Sequence, residues 1–141
     1  MKTAIVYSST TGNTEQIANA IKEAAPDAYF STADVADPSE VLSADLILLG
    51  SPAMGAEQLE DSMEEFFSGI EGQISGKTIG LFGSYDWGDG QMLSDWGERV
   101  KAAGANLKGI AKAQLAPDSQ ALEDAKALLN YGFANYRLLP L

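Results

Sequence analysis

The sequence contains no cysteine and no histidine. The first absence excludes disulfide frameworks, thiolate nucleophiles and Cys-based zinc sites. The second removes imidazole bases and Ser-His-Asp triads. Any redox or catalytic work is then expected of a bound cofactor. Basic residues are scarce, 9 Lys and Arg against 20 Asp and Glu, for a formal net charge of −11. Repulsion from phosphates argues against nucleic acid or an anionic membrane as partner. A basic protein surface suits this charge better, because opposite fields speed encounter. Long apolar runs are missing too: none approaches membrane-spanning length. The apolar run at the start, residues 1–7, is too short for a signal peptide and carries no cleavage signature. The expectation is a cytoplasmic protein.

What is present is a chain of 141 residues, 45% hydrophobic, enough for one domain over residues 1–141 with its own core. No repeat, low-complexity tract or linker interrupts it. Short apolar runs alternate with helical periodicity. Strands are expected over residues 3–9, 28–33, 45–51, 77–83 and 106–115. Helices are expected over residues 13–25, 38–42, 59–70, 91–103 and 119–138, the last carrying Leu122, Ala125, Leu129, Phe133 and Tyr136. Trp96, at helical spacing from Met92 and Val100, belongs to the core. The last strand reads as an edge, with Lys108 and Lys112 along one side to discourage pairing with another chain.

Alternating strands and helices mean an α/β fold with a parallel sheet and helices on both faces. Five strands in this order suit a doubly wound sheet, order 2-1-3-4-5, whose ligand lies beyond the carboxyl ends of the strands. That expectation brings the loops after the first, third and fourth strands together. In the first of these, Ser9-Thr10-Thr11-Gly12-Asn13-Thr14 sets hydroxyls, a glycine and an asparagine between a strand and a helix. Unpaired N–H groups at a helix start bind anions, and the same residues also read as a polar N-capping turn. A Walker A loop would need Gly-Lys-Ser/Thr and a phosphotyrosine phosphatase a cysteine; neither is there. A response regulator would end its third strand in a phosphoacceptor aspartate, where Gly50-Ser51 stands.

Three segments carry a resemblance. They are Ser9-Thr10-Thr11-Gly12-Asn13-Thr14, Gly50-Ser51-Pro52-Ala53-Met54-Gly55-Ala56-Glu57, and Gly83-Ser84-Tyr85-Asp86-Trp87-Gly88-Asp89-Gly90. Through them the chain resembles the short-chain, clostridial-type flavodoxins along its whole length. The resemblance implies a flavodoxin-like fold and one non-covalently bound FMN. Residues Ser9 to Thr14 would hold its phosphate. Pro52, Ala53, Met54, Gly55, Ala56 and Glu57 would lie against one side of the flavin ring, with Met54 covering it and Glu57 accepting from N3–H. The Gly55 carbonyl would turn toward flavin N5 and stabilise the neutral semiquinone. Ser84, Tyr85, Asp86, Trp87 and Gly88 would supply the other side, Trp87 stacking outermost and backbone N–H groups near residues 86–88 meeting the O2/N1 edge.

The implied function is a low-potential one-electron carrier working on the semiquinone/hydroquinone couple, with no substrate turnover, no catalytic residue and no metal of its own. Asp86, Asp89 and Glu57 would ring the charge that forms near N1 and make it costly. The partners would be basic-faced reductases and low-potential oxidoreductases, met by a monomer. A two-electron FMN-dependent quinone reductase of the same fold is the alternative. Two departures bear on the potentials: Asp86 stands where close relatives often have glycine, and Ala56 where a polar residue is common.

Overall fold

Residues of alternating burial along the strands divide the apolar positions of the computed structural model, which describes residues 2–55, 57–86 and 88–130, into two clusters. The strands are β1 (Thr3–Tyr7), β2 (Tyr29–Thr32), β3 (Leu46–Gly50), β4 (Ala53–Met54), β5 (Gln58–Leu59), β6 (Thr78–Tyr85) and β7 (Asn106–Gln114). The helices are α1 (Asn13–Ala24), α2 (Pro38–Leu42), α3 (Asp61–Ile70), α4 (Gln91–Ala102) and α5 (Ser119–Ala127). Ala4, Val6, Ile47, Leu49, Ile79 and Leu81 pack with Val41 of α2, Met63 and Phe67 of α3, and Trp96 and Val100 of α4. Ile5, Tyr7, Leu46, Leu48 and Phe82 point the other way, to Ile17 and Ile21 of α1 and Ala121 and Ala125 of α5. Helices therefore cover both faces, as a period of two in buried parallel strands requires.

The main sheet has the order β2-β1-β3-β6-β7, all pairs parallel. This is the expected 2-1-3-4-5 arrangement, with the small antiparallel pair β4–β5 inserted between the third and fourth sheet strands. That pair corrects one boundary. The helix expected from residue 59 begins at Asp61, because Leu59 pairs with Ala53 and Glu60 becomes the N-cap. Gly83 brings the loops of β3 and β6 close: a Cβ there would stand 2.2 Å from the Ser51 carbonyl oxygen. Only a residue without a side chain allows that approach.

The edge strand corrects a second expectation. A register shift falls opposite Ile79/Gly80, so Leu107 pairs with Ile79, Gly109 with Gly80, and Lys108 is the extra residue of a β-bulge. The bulge breaks the alternation that would have set Lys108 and Lys112 on one side. Lys108 is instead only 7% exposed, with its ammonium donating to the Asn130 carbonyl at 3.2 Å. Burial lowers its pKa. Lys112 stays exposed on the other face, in register with Gly83. Of the helix expected over residues 119–138, Phe133 and Tyr136 lie outside the described residues. No helix among the described residues is long and apolar enough to cross a membrane.

Candidate functional site

The three loops singled out by the sequence meet at the carboxyl ends of β1, β3 and β6, which are neighbours in the sheet. The first runs from Ser8 into α1. Its cap residue, Gly12, has φ +94°, a left-handed conformation that favours glycine, and offers no side-chain cap. Ser9 Oγ accepts from the N–H groups of Gly12 and Glu15, at 3.2 and 3.3 Å. The N–H groups of Thr10, Thr11, Asn13 and Thr14 find no partner among the described residues. Thr10 and Thr11 are exposed and Asn13 half-buried. Open space lies over Gly12, where a built Cβ meets no atom within 4 Å. The Thr14 hydroxyl is turned inward to Ser84 Oγ, 2.9 Å away, joining the first loop to β6.

Ser8 is a residue the sequence reading passed over. It is buried, and its Oγ has no hydrogen-bond partner among the described residues. Its backbone N–H donates to Gly50 at 2.9 Å, fixing it between the first and second loops. Tyr7 beside it donates its hydroxyl to Glu15 at 3.2 Å. Burial, then the Glu15 charge, raises the phenol pKa, so this tyrosine stays neutral and structural.

The second loop is a hairpin. Met54 pairs with Gln58, and the Glu57 N–H closes the turn on the Met54 carbonyl at 2.9 Å. Met54 is 39% exposed, and no atom lies within 4 Å of a Cβ built on Gly55. Ser51, fully buried, accepts from the Glu60 N–H at 3.0 Å and so ties the far side of the hairpin down. Pro52 is buried and Ala53 half-buried beneath the turn. Glu57 is itself left-handed, φ +56°, unusual for a residue with a side chain. That conformation carries its carboxylate across to α4, where it accepts from the Met92 N–H at 3.0 Å. Since Gly90 before α4 offers no side chain, Glu57 supplies that helix with its cap from 35 residues away.

The third loop follows β6. Asp86, Gly88 and Asp89 are exposed and Tyr85 half-buried. Side chains of β7 hold it: Gln114 donates to the Asp86 carbonyl and Lys112 to the Asp89 carbonyl. Ala56 and Trp87, expected beside the flavin, lie outside the described residues. Among the described residues no group of three His, Cys, Asp or Glu side chains is placed to hold a metal.

The donor set fits an FMN. Neutral N–H groups at the start of α1 suit a phosphate without a lysine or arginine. An exposed methionine and an uncrowded turn suit the face of a planar ring. The sequence model of the flavodoxin family, described as Flavodoxin, matches residues 5–127. A flavodoxin of Megasphaera elsdenii is 44% identical over 120 residues, 82% of this chain and 88% of its own. One of Clostridium beijerinckii is 46% identical over 107 residues, covering 71% of this chain and 76% of its own. The solution structure of the two-electron reduced M. elsdenii flavodoxin superposes with a TM-score of 0.82 at 40% identity, over 91% of this chain and 98% of that one.

Proposed function

The chain belongs to the flavodoxin family of FMN-binding electron carriers, and on that premise we propose that it shuttles single electrons at low potential between redox proteins. The observation that carries this reading is the convergence of a helix start without a cap of its own, an exposed Met54-Gly55 turn and an acidic third loop at the carboxyl end of the sheet. When bound, FMN supplies electron transfer in two separate one-electron steps. The rest is the work of this chain. Ser9, Thr10, Thr11, Gly12, Asn13 and Thr14 form the phosphate cradle, with the last acting through its backbone because its hydroxyl is committed to Ser84. Met54 covers the ring, and Glu57 offers the carboxylate oxygen that Met92 does not use to the N3–H edge.

Gly55 separates the two steps. It is the first central residue of the turn closed by Glu57 on Met54, and its φ is not positive. Turning its carbonyl the other way rotates the peptide that follows it, chiefly about ψ of Gly55, and changes the turn type. Glycine makes this reversal cheap. The acidic residues, 20 against 9 basic, favour a basic-faced partner.

The test is the visible spectrum of the purified protein during stepwise anaerobic reduction. A yellow protein that passes through a distinct one-electron-reduced spectrum supports the reading, and Gly55→Ala should reduce the yield of that species several-fold. Direct bleaching of the yellow protein would favour a two-electron quinone reductase. Failure to bind added FMN would overturn the reading altogether.

A further inference from the structure

The edge strand β7 and the residue that follows it hold the end of β6 and the third loop at three points. The Leu115 N–H donates to the Tyr85 carbonyl at 2.8 Å, Gln114 Nε2 to the Asp86 carbonyl at 3.2 Å, and Lys112 Nζ to the Asp89 carbonyl at 2.6 Å. Lys112 and Gln114 stand two apart on a strand and so share a face. Their targets bracket position 87, where the outer ring-stacking residue is expected.

Lys112 is fitted into the loop rather than laid over it. A Cβ on Gly90 would come within 3.1 Å of Lys112 Cδ and 3.4 Å of the Tyr85 ring, so glycine leaves room for the lysine stem there. The ammonium lies 5.9 Å from the centroid of the Tyr85 ring. The β-bulge at Lys108 is what turns Lys112 to this face. Without the extra residue, Lys112 would pair with Ser84 instead of Gly83 and point to the α1/α5 side. Charge-assisted bonds to a carbonyl are stronger than neutral ones. Holding the Asp89 carbonyl toward β7 also turns the N–H of the same planar peptide, that of Gly90, away from the strand.

We propose that Lys112 is a positioning residue for the flavin: its ammonium fixes the third loop and places beside it a positive charge that favours the fully reduced cofactor, offsetting Asp86 and Asp89. The inference rests on the flavodoxin reading and deepens it. Lys112 is exposed and belongs to neither core cluster, and among the described residues its ammonium meets only the Asp89 carbonyl and the Tyr85 ring. Its effect belongs to the second electron, because the added electron there leaves a net negative charge that a nearby cation stabilises.

The experiment compares wild type, Lys112→Met and Lys112→Arg, each loaded with FMN and reduced anaerobically with dithionite against a reference dye, to give both one-electron midpoints and the FMN dissociation constant. Urea melts of the three apoproteins accompany it. In Lys112→Met the second midpoint should fall by about 28 mV, a threefold change in the one-electron equilibrium. The first midpoint and the urea midpoint should change little, and Lys112→Arg should restore the second. An unchanged second midpoint in Lys112→Met overturns the proposal while leaving the flavodoxin reading intact. So does an equal fall of both midpoints that follows apoprotein stability, or an arginine variant no better than methionine. A wild type that binds no FMN overturns both.

Discussion

Helices α2, α3 and α5 begin in one way, and α1 and α4 in another. In the first group the residue before the helix brings its own carboxylate: Asp37 accepts from the Ser39 N–H, Glu60 from Ser62 and Asp118 from Ala121. In the second group that residue is a left-handed glycine with nothing to offer. A helix start without a cap leaves unpaired N–H groups and a partial positive charge. At α4 the gap is filled from outside by Glu57. At α1, Ser9 takes the Glu15 N–H, and the donors of Asn13 and Thr14 find no partner among the described residues. A self-capped helix needs nothing further, whereas the two that begin in glycine depend on groups from outside the helix, and both border the site. Binding capacity shows itself here as hydrogen bonding the fold leaves unmade.

The sharpest way to break that contrast is to give α1 a cap like those of its neighbours. Gly12→Asp would put a carboxylate where the phosphate is expected. Aspartate tolerates the left-handed region better than most residues, so the fold should survive. FMN affinity should fall about a hundredfold, ~2.8 kcal/mol, as read by fluorescence titration of the apoprotein. Undiminished affinity would show that the phosphate sits elsewhere.

The next largest effect concerns how α4 is held in the absence of its own cap. Arg99 donates to Glu64 of α3 and to Glu71 just beyond it, at 2.8 and 2.9 Å, with its guanidinium 4.9 Å from the centroid of the Phe67 ring. Arg99→Met should cost about 1–2 kcal/mol at neutral pH, the upper end reflecting lost packing as well as two half-exposed ion pairs. The Arg99 hydrogen bond is the chief cause that lowers the Glu64 pKa below its ordinary 4.5. A lowered carboxylate pKa gives stability that is complete above the unfolded value and lost as pH falls through the folded one. The gap between wild type and variant should therefore be constant near pH 7 and narrow below about pH 4.5. Urea midpoints across that range measure it; a gap independent of acid would mean that packing alone is at work.

A cap in the first group should behave in the opposite manner to Gly12. Asp118→Ala should cost about 1 kcal/mol in urea and leave FMN affinity unchanged. A shift in affinity would mean that α5, which packs beside α1 on the same face of the sheet, reports to the site.

Much of this was legible in the chain. The unbroken apolar run Leu46-Ile47-Leu48-Leu49 marks a central strand buried on both faces, and strict alternation of elements then gives the sheet order. Three features were not. The β4–β5 pair is two residues a side, too short for periodicity to register. The bulge at Lys108 inserts one residue, and one residue exchanges faces for everything after it. Glu57 reads locally as a first-turn carboxylate, while its partner Met92 is 35 residues away. Propensity and pattern are local signals, and each missed feature depends on a partner in another element.

Ser8 carries the smallest effect and the most direct reading of the contrast between capped and uncapped elements. Its hydroxyl is buried without a hydrogen-bond partner among the described residues, at the point where β1 enters the open loop. An unsatisfied buried hydroxyl is a cost to the fold, and replacing it by hydrogen removes that cost. Ser8→Ala should therefore stabilise the apoprotein by about 0.5 kcal/mol while weakening FMN several-fold. Both quantities come from one pair of experiments, a urea melt of apoprotein and an FMN titration. A variant that gains stability and loses affinity identifies the hydroxyl as part of the cradle, held unpaired for a ligand. A variant that gains stability with affinity intact makes Ser8 a packing residue only, and moves the limit of the cradle to Ser9.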